Sequence, residues 1–174
     1  MTTNIDRLND LIDDMLQIPT VDEKDLELRK ELFTAKDIID IIIDEVGDVA
    51  REKKQTVITD VHDDAILFGD KNLIGKAIKN IVVNAVKYTG EKGRISITAE
   101  RDAHFTHLII SDTGKGIKKE DIERIFEPFY SLENGAGLGL SIAKNIIESH
   151  GGKITAESIV GKGSQFHVFM RCKR

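Results

Sequence analysis

The 174-residue sequence predicts an α/β (α+β) fold: a two-layer sandwich, with a mixed sheet packed against helices on one face, preceded by one amphipathic helix. Three observations carry this reading. Stretches 33–53, 70–89 and 139–150 place apolar residues at helical steps, leaving one buried stripe each. Stretches 94–101 and 104–112 alternate apolar and polar residues, the period of a strand with one buried face. Strands and helices also mix without a regular βαβ repeat, which argues against a doubly wound parallel sheet.

Each element follows in chain order. Residues 4–17 (NIDRLNDLIDDMLQ) set Ile5, Leu8, Leu11, Ile12 and Met15 on a narrow stripe, the pattern of a bundle or coiled-coil seam. Pro19 and the acidic stretch after it end that helix. The stripe asks for a partner helix, and weak self-association or fraying is expected of it. LELRKEL (26–32) reads as a strand. In the helix over 33–53, Ile38, Ile39, Ile42, Val46 and Val49 fall on one side. Short strands are expected at 55–61 and 65–68. Asp70 is a good N-cap for a helix to Thr89 that buries Ile74, Ala77, Ile78, Ile81 and Ala85. RISITAER (94–101) and HFTHLIISD (104–112) form a hairpin, a short helix fits 119–125, and a helix runs over 139–150. Two strands close the chain, 153–158 and 164–171, linked by Gly161-Lys162-Gly163.

Composition bounds the function classes. A net charge of -5, with no long basic run, argues against nucleic-acid binding. The single cysteine, Cys172, excludes a disulfide framework within the chain and fits a reducing cytoplasmic setting. No apolar run approaches membrane-spanning length, so no membrane contact by this chain is expected.

Four local patterns could carry chemistry. In NIVVNAVKYTG (80–90), Asn80, Asn84 and Lys87 fall within about 60° of one another on a helix. An asparagine oxygen suits Mg²⁺, and a lysine can meet phosphate as a point charge. An ordinary exposed polar face explains the same spacing. DTGKGI (112–117) follows a strand, and Asp112 could accept from an exocyclic amine such as that of adenine; D-x-G is also a common turn. GAGLGLSIAKNI (135–146) runs glycines into a helix start, a potential anion site that matches neither a P-loop nor a full dinucleotide fingerprint. IFEPFYS (125–131) gathers three aromatics around Pro128 and suits a small hydrophobic anchor for a loop.

In this order, NIVVNAVKYT, DTGKGI, FEPFYS and GAGLGLSI resemble the N box, first glycine box, F box and second glycine box of the sensor histidine kinases of two-component systems. GKGSQF (161–166) resembles the family's last strand entry, and RLNDLIDDML the end of the second dimerisation helix. The resemblance implies the GHKL ATP-binding fold over residues 21–174, with residues 1–20 as the C-terminal part of that helix. It implies ATP and Mg²⁺ as cofactors and donation of the γ-phosphate to a histidine, the activity of an ATP-dependent protein-histidine kinase; a GHKL-type ATP hydrolase and a non-catalytic ATP-binding regulatory module are the alternatives. Asn84 would coordinate the ion with Asn80 beside it, Lys87 would contact phosphate, and Tyr88 would pack near the nucleoside. Asp112 would read the adenine amine, with Gly114, Gly116 and Ile117 lining its loop. Gly135, Gly137, Leu138, Gly139 and Leu140 would form the hinge of an ATP lid, with Phe126 and Phe129 anchoring its start. Implied partners are the phosphoacceptor and dimerisation helices of the same kinase, a homodimer in full length, and a response regulator. The parent protein could be membrane-anchored.

Three features depart from the family pattern. The lid is short, with only Leu132, Glu133 and Asn134 between FYS and the glycines, and Ala136 stands where threonine is common. None of His62, His104, His107, His150 and His167 has the acidic neighbour and following proline of the acceptor motif, so the acceptor is expected upstream in a longer protein or on a partner. In the related gyrase, MutL and heat-shock chaperone ATPases, a water-activating glutamate occupies the position of Asn80. An asparagine cannot act as a general base at neutral pH, so slow hydrolysis is expected.

Overall fold

The computed structural model describes residues 28–132 and 135–171. The expected helix at 4–17, Glu133, Asn134 and Cys172 lie outside the described residues. The elements are β1 (Lys30–Thr34), α1 (Ala35–Glu52), β2 (Thr56–Val61), β3 (Ile66–Asp70), α2 (Lys71–Tyr88), β4 (Arg94–Arg101), β5 (Phe105–Asp112), a 3-10 turn (Arg124–Phe126), α3 (Gly139–Ser149), β6 (Lys153–Ile159) and β7 (Gly163–Arg171).

The main sheet has the order β2-β4-β5-β7-β6. β2 runs parallel to β4 and the other neighbours are antiparallel, so the sheet is mixed as expected. Residues 94–101 and 105–112 form the expected hairpin. β1 and β3 pair with each other in a separate two-stranded antiparallel sheet.

Alternate residues of the central strands point into one core. Ile95, Ile97 and Ala99 of β4, Leu108 and Ile110 of β5, and Phe166, Val168 and Met170 of β7 are buried. They meet Ile74, Ala77, Ile78, Ile81 and Ala85 of α2 and Ile142, Ala143 and Ile147 of α3. Truncating one of these isoleucines to alanine costs about 2–5 kcal/mol, so this layer holds the fold. Among the described residues no helix covers the opposite sheet face. There the ring nitrogens of His107 and His167 lie 3.2 Å apart, and His107 stacks on Phe169 with ring centroids 4.2 Å apart. Burial, helped by the neighbouring His167, holds the His107 imidazole below its ordinary pKa.

Three element boundaries differ from the sequence expectation. The first strand lies at 30–34, where β3 supplies its partner. The following helix starts after Phe33 because Thr34 forms a capping box with Asp37: its hydroxyl accepts from Asp37 N–H at 3.2 Å, and Asp37 accepts from Thr34 N–H at 3.0 Å. The expected helix at 119–125 is a run of turns with a 3-10 turn at 124–126. Pro128 sets where the 3-10 turn ends: it forces Glu127 into extended backbone, with ψ 137.

Candidate nucleotide-binding site

α2 sets up one wall of the site. Asp70 caps it, its carboxylate accepting from Asn72 N–H at 3.1 Å and Leu73 N–H at 3.2 Å. His150, at the end of α3, clamps the same corner: Nε2 accepts from Asp70 N–H at 3.1 Å, and Nδ1–H meets the Ile146 carbonyl at 2.7 Å. The helix then carries its apolar stripe into the core and its C-terminal polar residues to a cleft of about 200 Å³ between α2, β5, β7 and the glycine loop before α3.

Asn84, Lys87 and Tyr88 line this cleft. Asn80 does not. It faces the start of α3, and its amide nitrogen donates to the Gly139 carbonyl at 3.0 Å. The two asparagines therefore divide: one presents its amide to the cleft, and the other ties α2 to the glycine loop. The Tyr88 ring has two cations over it, with Lys87 Nζ at 4.8 Å and Lys115 Nζ at 4.7 Å from its centroid.

Asp112 closes the far end of the cleft, at the last position of β5. Gly114 N–H donates to its Oδ1 at 2.7 Å, and Ser164 donates from both backbone and hydroxyl. Partial burial nevertheless pushes the Asp112 carboxyl above its ordinary pKa, because the desolvation exceeds what these donors return. A group that presents a hydrogen-bond donor to this carboxylate would restore what burial removes. Gly116 and Ile117 line the same end; Gly114 lies behind, against the Tyr88 carbonyl.

Gly135, Gly137, Leu138, Gly139 and Leu140 line the third side. No side chain caps the first turn of α3, which leaves backbone N–H groups at the edge of the cleft, the arrangement that receives anions. Phe126 is partly buried and packs edge-on against Phe166, with centroids 6.4 Å apart. Phe129 does not share this anchoring role. It is 63% exposed, with a φ of +64, and stands outside the cleft. The hydrophobic anchor is Ile125 with Phe126, and Tyr130 holds the segment by donating to Asp121 Oδ1 at 2.6 Å.

Lys115, Ser131, Ser164 and Phe166 also line the cleft without having been singled out from sequence, as do Tyr130, Leu132 and Ala136, which the sequence marked only as parts of the loop. For two of them a signal existed. Lys115 sits between the two glycines of DTGKGI, and Ser164 follows the GKG turn directly across from Asp112 in the strand register.

Comparison with known proteins agrees with this geometry. The family model described as histidine kinase-, DNA gyrase B-, and HSP90-like ATPase matches residues 69–174. Sensor histidine kinase WalK of Bacillus subtilis is 33% identical over 169 residues, which span 91% of this chain and 28% of WalK. The chain thus covers well under half of that relative. Among solved structures, full-length ShkA in complex with AMPPNP superposes with a TM-score of 0.85 at 25% identity, over 97% of this chain and 37% of that one. Histidine kinase ThkA in complex with response regulator protein TrrA superposes with a TM-score of 0.81 at 27% identity, over 97% of this chain and 48% of that one. The chain belongs to the family of histidine kinase-, DNA gyrase B- and HSP90-like ATPases.

Proposed function

We propose that this chain is the ATP-binding catalytic domain of a two-component sensor kinase. It binds Mg-ATP and presents the γ-phosphate to a histidine on a dimerisation helix of a longer, homodimeric protein. The observation that carries this reading is convergence: residues from three separate motifs, at the end of α2, the end of β5 and the loop before α3, line one cleft.

Each residue has a part that its position supports. Asp112 accepts the adenine amine, the donor that its desolvated carboxylate lacks. Tyr88 packs beside the nucleoside, with Ile117 as apolar lining. Lys87 meets phosphate, and the uncapped turn at Gly139 and Leu140 offers N–H groups to the same anion. Among the described residues no cluster of three histidine, cysteine or carboxylate ligands exists. Mg²⁺ is commonly held by one or two protein oxygen ligands together with substrate phosphates. Asn84 is the residue that would hold Mg²⁺; Asn80, expected beside it, lies outside the cleft and instead fixes α2 against the glycine loop through the Gly139 carbonyl. The ion supplies charge neutralisation on the phosphate oxygens.

The response regulator enters as a partner by likeness to the ThkA–TrrA complex. Among the described residues no helix is long and apolar enough to cross a membrane. Residues 1–20 would be the tail of the second dimerisation helix, and 21–174 the catalytic domain.

The chain's own histidines support an acceptor elsewhere. His150 is committed to Asp70 and Ile146, and His107 and His167 pair on the opposite sheet face, away from the cleft. In-line transfer needs the acceptor at the γ-phosphate. Mixing the chain with γ-labelled ATP, Mg²⁺ and a separately prepared dimerisation hairpin tests this. The expected product is an acid-labile, base-stable phosphohistidine on the hairpin. Label appearing only as free phosphate would contradict it.

A further inference from the structure

One hydroxyl, that of Ser158 in β6, touches three segments that frame the Asp112 end of the cleft. It accepts from Ile117 N–H at 2.8 Å, donates to the Gly163 carbonyl at 2.7 Å, and lies 3.0 Å from the Ser164 hydroxyl. Ser158 is not among the residues that line the nucleotide cleft, and none of the motifs above contains it. It stands behind Ser164, the buried residue paired with Asp112 across β5 and β7.

Each serine hydroxyl has a single proton. The Ser158 proton goes to the Gly163 carbonyl, so none is left for Ser164 Oγ, 3.0 Å away. The Gly163 carbonyl and the Ser164 N–H belong to one planar trans peptide and point in opposite directions. Ser158 grips that peptide by its carbonyl, and the Ser164 N–H on the other side donates to the Asp112 carboxylate. The Ile117 N–H polarises the Ser158 hydroxyl and strengthens it as a donor. If the Ser158 oxygen is removed, the chain changes in two ways: Ile117 N–H loses its partner, and nothing holds the Gly163–Ser164 peptide with its N–H turned toward Asp112.

We propose that Ser158 is a positioning residue for adenine recognition: its hydroxyl fixes the Gly163–Ser164 peptide so that the Ser164 N–H is aimed at the Asp112 carboxylate, and it holds the Ile117 loop in register behind it. The inference rests on the reading of the cleft as an ATP site with Asp112 as the adenine acceptor.

The test compares two ligands by titration calorimetry in Mg²⁺: ATP, and purine riboside triphosphate, which lacks the 6-amino group. Wild type should prefer ATP. Ser158→Ala should bind ATP about tenfold more weakly, the loss expected for a misdirected hydrogen bond to a charged group. It should bind purine riboside triphosphate almost as wild type does, so the preference collapses. Ser158→Thr, which keeps the hydroxyl, should restore it. If the alanine variant fails to fold by circular dichroism, Ser158→Cys keeps the volume with a weaker donor and must show the same collapse. Equal weakening of both ligands, with the preference intact, would reduce Ser158 to a purely structural role and overturn the proposal. A wild-type chain that binds ATP with no preference over the analogue would instead overturn the adenine role of Asp112, and the proposal with it.

Discussion

Asp112→Asn is expected to weaken ATP binding about 100-fold, or ~2.7 kcal/mol, while leaving the fold at least as stable at neutral pH. The carboxylate offers two oxygens. Gly114 N–H and the Ser164 donors engage it from the protein side, and the residue also lines the cleft. An asparagine offers one oxygen and one donor. Turned to keep the Gly114 and Ser164 bonds, it faces the adenine amine with an N–H, donor against donor. Turned to serve adenine, it opposes the protein's own donors.

Stability moves the other way. Burial raises the folded-state pKa of Asp112 above its unfolded value of 3.8, so the folded chain binds more protons in the window above that value. Stability contributed at this site is therefore highest below the unfolded pKa and falls as pH rises through the folded one. At neutral pH the ionised carboxylate is a net burden on the fold, which asparagine removes. Thermal melts should place the variant at or above wild type at pH 7, with the difference shrinking toward pH 4. A destabilised variant at pH 7 would mean that the Gly114 and Ser164 bonds outweigh desolvation.

Gly163→Ala should carry the largest structural penalty, about 3 kcal/mol of stability, together with loss of nucleotide binding. Gly163 has a φ of +109, a region essentially reserved for glycine, and an added Cβ would lie 1.9 Å from the Asp112 carbonyl oxygen. The clash is backbone to backbone, so no side-chain rotation relieves it. The strand pairing of β5 with β7 would have to open where Asp112 is held. Gly161 in the same turn is the internal control. Its φ is +78, but an added Cβ meets nothing within 4 Å. Gly161→Ala should thus show only the conformational penalty, about 1 kcal/mol, and keep nucleotide affinity. Urea midpoints for the two variants separate strain from collision.

Legibility in the sequence followed the range of the forces involved. Period alone located α2, the β4–β5 hairpin and the closing strands, because each buries one regular face against a single core. The stretch 119–125, expected as a helix, is a run of turns closed by a 3-10 turn, which Pro128 ends by holding Glu127 extended. The site was half legible. Asn84, Lys87, Tyr88 and Asp112 sit in motifs whose chemistry can be read locally. Their division of labour is tertiary: Asn80 is drawn from the cleft by Gly139, 59 residues away in sequence. Ser164 enters only through strand register, and Lys115 only through the stacking of its ammonium on Tyr88. Phe129 looked like an anchor by composition, but the positive φ that turns the chain toward Tyr130 leaves its ring in solvent.

Under the proposed function, the cleft holds ATP intact for a histidine. Asn80 lacks a basic group, and its amide is tied to the Gly139 carbonyl, so no general base is offered to water from that position. The most direct test keeps the chain in excess over labelled ATP with Mg²⁺, in a single turnover. Bound and free nucleotide are separated, and the bound fraction is quenched in acid. Bound label that remains ATP over many minutes is the expected result. Bound ADP, with the conversion abolished in Asn80→Ala, would mean that water is activated in this cleft and would move the chain to the hydrolases of its family.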